Sequence, residues 1–127
     1  MDALKKKPFR LGTTSFIFPD HIIPNVRKLG PVFNEIELLV FESRPESVIP
    51  SQADVWELKG LSEQFDLTYN VHLPVDVSIC SGTLEERKES SDTLVRVVER
   101  FQPLSPTTHT LHLAFPKPLK GMDAGAG

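Results

Sequence analysis

Two histidines, His72 and His112, occupy equivalent places late in two alternating segments of the chain. In the first segment Thr68, Asn70 and His72 share one side, and Tyr69, Val71 and Leu73 share the other. In the second, Thr108, Thr110 and His112 oppose Leu111, Leu113 and Phe115, with His109 interrupting the apolar side at its start. Neighbouring strands lie about 4.8 Å apart, so late residues on adjacent strands can converge on one ion. Neutral imidazole suits a divalent zinc, manganese or iron ion. A single such histidine reads as a hydrogen-bonded residue near a strand end; two at matching positions point to a metal or substrate site.

Other residues could act beside this pair. Glu37 shares its parity with Glu35, Leu39 and Phe41, while Ile36, Leu38 and Val40 form the apolar side of the same run. A carboxylate facing away from that apolar side can bind a cation, accept a proton as a catalytic group or form a structural ion pair. Asp76 follows His72-Leu-Pro-Val and could orient a metal-bound histidine, because such ligands usually donate their second N–H to a carboxylate; a plain turn aspartate is the rival. Thr14, with Thr13 and Ser15, ends an early run where hydroxyls can meet a phosphate or sugar oxygen. Asn70 lies beside His72 on the polar side, and Thr14, Asn70 and Asp76 form the candidate substrate-binding set. Glu42 and His21 read as exposed, and Cys80 as non-catalytic. The chain holds no Gly-rich phosphate loop, cysteine pair or nucleophile elbow.

The elements that must position these residues are four apolar runs at 10–18, 35–41, 67–73 and 109–115, separated by helix-like stretches. Asp20 is the expected N-cap of the first helix, whose periodic residues are Ile22, Val26 and Leu29; Gly30-Pro31 ends it. Ser51 caps a second helix with Val55, Leu58, Leu61 and Phe65 on its core face. Thr83 and Glu86 predict a capping box for a third, which buries Leu94, Val97, Val98 and Phe101. The order β-α-β-α-β-α-β implies right-handed parallel crossovers. It fits a doubly wound sheet or part of a β/α barrel. A strand covered by helices on both faces should be nearly all apolar. Here one side becomes polar toward the C-terminal end, which favours a barrel with its site at that rim. The expectation is α/β: a parallel (β/α) barrel of TIM type, represented by its first four β/α units as a half-barrel. Residues 1–9 read as a flexible N-terminus, 10–115 as the half-barrel domain, and 116–127 as a disordered tail or the scar of a truncation.

Composition bounds the function. With 127 residues the chain is too short for a whole β/α barrel of about 250. Fourteen basic against 17 acidic residues leave a net charge of −3, so no basic excess favours nucleic acid. One cysteine excludes an intrachain disulfide, and no apolar run approaches the roughly 20 residues needed to span a bilayer. Lys5, Lys6 and Lys7 lead into Pro8 and Arg10 instead of an apolar stretch, which is not a signal-peptide pattern. The expected setting is cytoplasmic, with no membrane or nucleic-acid partner.

The combination of Arg10-Leu-Gly-Thr-Thr-Ser-Phe16, Glu35-Ile-Glu-Leu38, Asn70-Val-His-Leu-Pro-Val-Asp76 and Leu111-His-Leu113 resembles the xylose-isomerase-like TIM-barrel superfamily, which includes AP endonuclease family 2 and sugar-phosphate isomerases and epimerases. The stretches at 13–29 and 66–76 resemble the cobamide-remodelling phosphodiesterase (CbiR) family. The resemblance spans residues 10–115. It implies a metal-dependent hydrolase cleaving a phosphoester in the nucleotide loop of a cobamide, with His72 and His112 as metal ligands and Glu37 as the inward acid of the second strand. It equally admits a sugar (phosphate) isomerase or epimerase. The implied ligand is a small phosphorylated or sugar-like molecule, a cobamide among them. Such barrels take further ligands from strands five to eight, so these 127 residues alone are expected to be inactive. A half-barrel also exposes two sheet edges, which a homodimer or another partner would cover. A catalytically incomplete half-barrel serving as an interaction module is the third reading.

Overall fold

The computed structural model describes residues 2–113. Phe115 and the 116–127 segment lie outside the described residues. Four strands, β1 (Gly12–Thr14), β2 (Glu35–Leu39), β3 (Thr68–His72) and β4 (His109–Thr110), alternate with three helices, α2 (Ile22–Leu29), α3 (Gln52–Phe65) and α4 (Leu84–Phe101). A short helical turn, α1 (Asp2–Lys5), precedes them. The Lys5 ammonium donates to the Phe65 carbonyl at the end of α3.

The strands form one sheet in the order β1-β2-β3-β4, every pair parallel. The register aligns Thr14 with Glu37 and Glu37 with Asn70, then Leu39 with His72 and His72 with Thr110. Alternation puts Ile36, Leu38, Val40, Tyr69, Val71 and Leu73 on one face. These side chains share a single buried core with Val26 and Leu29 of α2, Val55, Leu58 and Leu61 of α3, and Leu94, Val97 and Phe101 of α4. The helices therefore pack one face of the sheet, and the face bearing Glu35, Glu37, Asn70 and His72 carries no helix among the described residues. A doubly wound sheet reverses strand order at a switch point and covers both faces; neither feature occurs among the described residues. The protein is an α/β fold built on a four-stranded parallel sheet.

Burial follows the expected periodicity closely. Val98 is the exception in α4: it is only partly buried, while Ser90 and Thr93 complete the buried stripe. Tyr69 reaches through the core to donate to the Leu58 carbonyl at 2.6 Å, and burial pushes its phenol pKa far up.

The helix starts differ in part from expectation. Ser51 and Asp54 form a reciprocal capping box at α3. At α4, Thr83 accepts from the Glu86 amide at 3.3 Å, but the Glu86 carboxylate turns to the Ser81 and Thr83 hydroxyls, so the reciprocal half of the predicted box is absent. Asp20 is not the N-cap of α2. His21 holds that position without a side-chain bond, and Asp20 accepts from the His21 amide at 2.7 Å.

Gly60 lies inside α3, exposed, with open space where a Cβ would project. Glycine in a helix interior costs about 0.8–1 kcal/mol relative to alanine. Gly60→Ala should therefore raise the unfolding free energy by about 0.5–1 kcal/mol, read as a higher urea midpoint with unchanged slope.

No helix among the described residues is long and apolar enough to cross a membrane.

Candidate metal centre on the open face of the sheet

The last residue of β3 is His72, and His112 lies two residues past the end of β4 on the same face. Their Nε2 atoms approach to 2.9 Å, and their rings are 4.7 Å apart between centroids. His72 is buried and His112 exposed. The other nitrogen of His72, Nδ1, lies 3.0 Å from the Leu73 carbonyl. A carbonyl only accepts, so Nδ1 carries the proton and neutral His72 presents its Nε2 lone pair toward His112. Phe41 packs edge-on against His72 at 4.9 Å between centroids and holds the ring from the other side.

This arrangement serves two chemistries. His112 can donate its Nε2 proton to His72, closing a neutral imidazole pair. Alternatively both lone pairs can face one cation. Two nitrogens each about 2.1 Å from an ion lie about 3.0 Å apart when they subtend a right angle, and about 3.4 Å apart in a tetrahedron. The observed 2.9 Å suits adjacent ligands of a six-coordinate ion without movement, whereas tetrahedral zinc requires the pair to open by about half an ångström. A backbone carbonyl on the distal N–H is a usual partner for a ligating histidine. Among the described residues, no group of three or more His, Cys, Asp or Glu side chains gathers around a common point. Water, substrate or other side chains would have to fill the remaining positions.

The other candidate residues divide between two ends of the open face. Glu37 aligns with Thr14 and Asn70, two residues before the His72 level. Thr14 Oγ1 accepts from the Phe16 amide at 3.3 Å. The Asn70 amide donates to Glu35, not Glu37, at 2.8 Å. Glu35 is the acid that the structure builds into a network, with the Thr68 and Thr107 hydroxyls donating to it at 2.7 and 3.0 Å. Burial pushes the Glu35 carboxyl up, but these bonds and the nearby Arg10 guanidinium outweigh burial and hold its pKa below the ordinary range. Arg10 also donates to Thr68 Oγ1 and the Asn34 carbonyl, so this N-terminal end of the face is a closed polar cluster.

Asp76 does not orient His72. Its carboxylate accepts from the Ser43 amide at 2.7 Å and the Ser43 hydroxyl at 2.8 Å, tying the loop after β3 to the loop after β2. Desolvation raises its pKa, yet bonds from the Ser43 amide and hydroxyl and the Arg44 amide lower it further, and the net shift is downward. A depressed folded pKa gives stability that is present above the unfolded pKa and is lost as pH falls through the folded one. Asp76→Asn should therefore be less stable than wild type at pH 7, with the difference closing below about pH 4, measured as urea midpoints across that range.

Two further residues shape the site, Ser15, whose hydroxyl the sequence offered to a ligand, and Asn25, which it did not single out. Ser15 is buried and continues the β1–β2 pairing, its amide donating to the Glu37 carbonyl and its hydroxyl accepting from the Leu39 amide. Asn25 is fully buried and bonds Phe18 N and the carbonyls of Phe18, Asp20 and His21. This explains why β1 ends at Thr14 although the apolar run continues to Phe18: Asn25 captures the chain and turns it. Glu42 and His21 are exposed, as expected, and Cys80 is a free, partly buried thiol.

Comparison with protein-family models, curated proteins and solved structures finds no match for this chain.

Proposed function

We propose that the sheet is part of the wall of a parallel β/α barrel of TIM type, that His72 and His112 hold a divalent metal at its C-terminal rim, and that the site hydrolyses a phosphoester. The observation that carries this reading is the convergence of the two Nε2 atoms at 2.9 Å, with the His72 tautomer fixed by the Leu73 carbonyl. Strand order that follows chain order, with helices on one face, supports the barrel. A bound divalent metal would act as a Lewis acid, offsetting charge on the phosphoryl oxygens and activating water. The protein's own residues hold the imidazoles, and in this reading Glu37, on the same face two residues before the His72 level, accepts the proton from the attacking water. The products are a phosphomonoester and an alcohol. A cobamide nucleotide loop is the candidate substrate that the sequence resemblance suggests.

Sugar-phosphate isomerisation is the second reading. It is favoured by the row of Thr14, Glu37 and Asn70, a carboxylate flanked by two hydrogen-bonding side chains on one face. The test is hydrolysis of bis(p-nitrophenyl) phosphate with Mn²⁺, Co²⁺ or Zn²⁺ by the protein carrying this chain. Release of nitrophenol that EDTA abolishes supports the hydrolase. Ketose–aldose interconversion without such release favours the isomerase. Strands β1 and β4 are open edges among the described residues, so association with a second copy or with further β/α units completes the barrel in this reading.

A further inference from the structure

A cavity of about 390 Å³ lies between the β1–α2 loop, the C-terminal end of β2 and the loop that follows it, and shares Phe41 with the surroundings of His72. Its walls are apolar: Phe16, Leu39, Phe41 and Val48 line it. Two exposed acids, Asp20 and Glu42, also line it, with His21 between the loop and α2. Parallel sheets bind ligands at the carboxyl ends of their strands, and the volume is at the lower end of the range for small-molecule sites.

Three features argue for a ligand cavity instead of a chance hollow. First, Phe16 and Phe41 are 64% and 45% exposed, a cost in water that an apolar ligand would remove. Second, the loop bearing Phe16 is anchored by the four bonds of Asn25, so the wall is preformed. Third, the charge of the lining has one sign. No lysine or arginine lines the cavity, and one Asp20 oxygen accepts from the His21 amide while the second has no hydrogen bond among the described residues.

We infer that this cavity binds a planar apolar group bearing a cationic or multiply hydrogen-bond-donating substituent, such as an aromatic amidine. The ring lies between Phe16 and Phe41, and the donors meet Asp20 and Glu42. Two carboxylates in the lining select against an anionic group of the same shape. Phe41 also touches His72, so a ligand seated here contacts the residue that packs against a proposed metal ligand. Its role as the substrate's second arm rests on the proposed hydrolase; the binding itself does not.

The test uses the full chain and 4-aminobenzamidine, whose fluorescence rises in an apolar environment. Saturable binding is expected with a Kd on the order of 0.1–1 mM, as a probe this small can reach. Benzoate should bind at least about tenfold more weakly. Asp20→Asn combined with Glu42→Gln should erase that preference. Val48→Trp, at a half-exposed position where folding is not at risk, should fill the cavity and weaken both probes. No saturation by about 10 mM, equal binding of benzoate, or unchanged affinity in Val48→Trp overturns the inference. A parallel Co²⁺ titration separates the two readings. Amidine binding without Co²⁺ binding supports the cavity and removes only the metal site.

Discussion

Asn25→Ala is expected to lower the unfolding free energy by about 2–4 kcal/mol, among the largest losses available from one polar side chain in this protein. Asn25 is fully buried at the start of α2, yet its side chain bonds only to the loop before the helix. Its Oδ1 accepts from Phe18 N at 2.9 Å, and its Nδ2 is shared among the carbonyls of Phe18, Asp20 and His21 at 3.2, 3.1 and 2.9 Å. Truncation leaves the Phe18 amide and the Asp20 carbonyl short of a partner and opens a void, while the Phe18 and His21 carbonyls keep the Asp20 and Asn25 backbone amides. Residues 16–20 are exposed, so water can reach part of the freed backbone, which holds the loss well below the sum of four buried bonds. Asn25→Asp tests the same geometry by charge. A carboxylate there keeps the Phe18 amide but faces three carbonyl oxygens, so burial and repulsion raise its folded pKa. The Asp variant should therefore be most destabilised above that pKa and recover as pH falls through it toward the unfolded value. Urea denaturation reads both variants, and hydrogen exchange at the Phe18 amide reports the loop directly. A loss under about 1 kcal/mol for Asn25→Ala would mean that the loop is held by other contacts.

That loop shows where local sequence reasoning stops. Period-two and period-3.6 patterns depend on neighbours in the chain, and they placed the core faces of β2, β3 and all three helices on the sides that are buried. The same parity argument put His72 and His112 on one face, where they meet. The length of β1 was not legible, because Phe16, Ile17 and Phe18 look like strand residues and the residue that turns them away is seven positions past Phe18. Nor was the division of labour between Glu35 and Glu37. Both share the parity of the open face, and only the register shows that Thr68, Asn70 and Thr107, 33 to 72 residues away, converge on Glu35. Asp76 was read against its nearest histidine in sequence, but its partner is Ser43 on another loop. Of the three helix-start readings, Ser51 held and Asp20 failed, and Thr83 caps its helix without the reciprocal bond, because a competing hydroxyl, that of Ser81, takes the Glu86 carboxylate that the box motif assigns to the backbone. In each case the alternation was enough to choose a face, and the choice of partner depended on tertiary register.

If the imidazole pair is a metal site, His72→Ala and His112→Ala should each reduce Co²⁺ affinity by at least about tenfold, because either change leaves a single protein nitrogen where two chelated. The two variants should differ sharply in stability. His72 is buried against Phe41 and donates to the Leu73 carbonyl, so its removal leaves a void and should cost about 1–3 kcal/mol. His112 is exposed, and its removal should cost about 0.5 kcal/mol or less without metal. Equal metal loss with unequal stability loss is thus the signature of a shared ion. A plain hydrogen-bonded pair predicts another pattern: weak Co²⁺ binding that neither substitution changes, and a double-mutant coupling in metal-free protein of about 1 kcal/mol. Cobalt is the informative ion because its visible spectrum reports coordination number. The 2.9 Å nitrogen separation suits adjacent positions of a six-coordinate ion, so the expected spectrum is the weak one of octahedral cobalt. Intense tetrahedral bands would mean that the two imidazoles separate by about half an ångström on binding, with Phe41 and the β3–β4 register yielding to the ion.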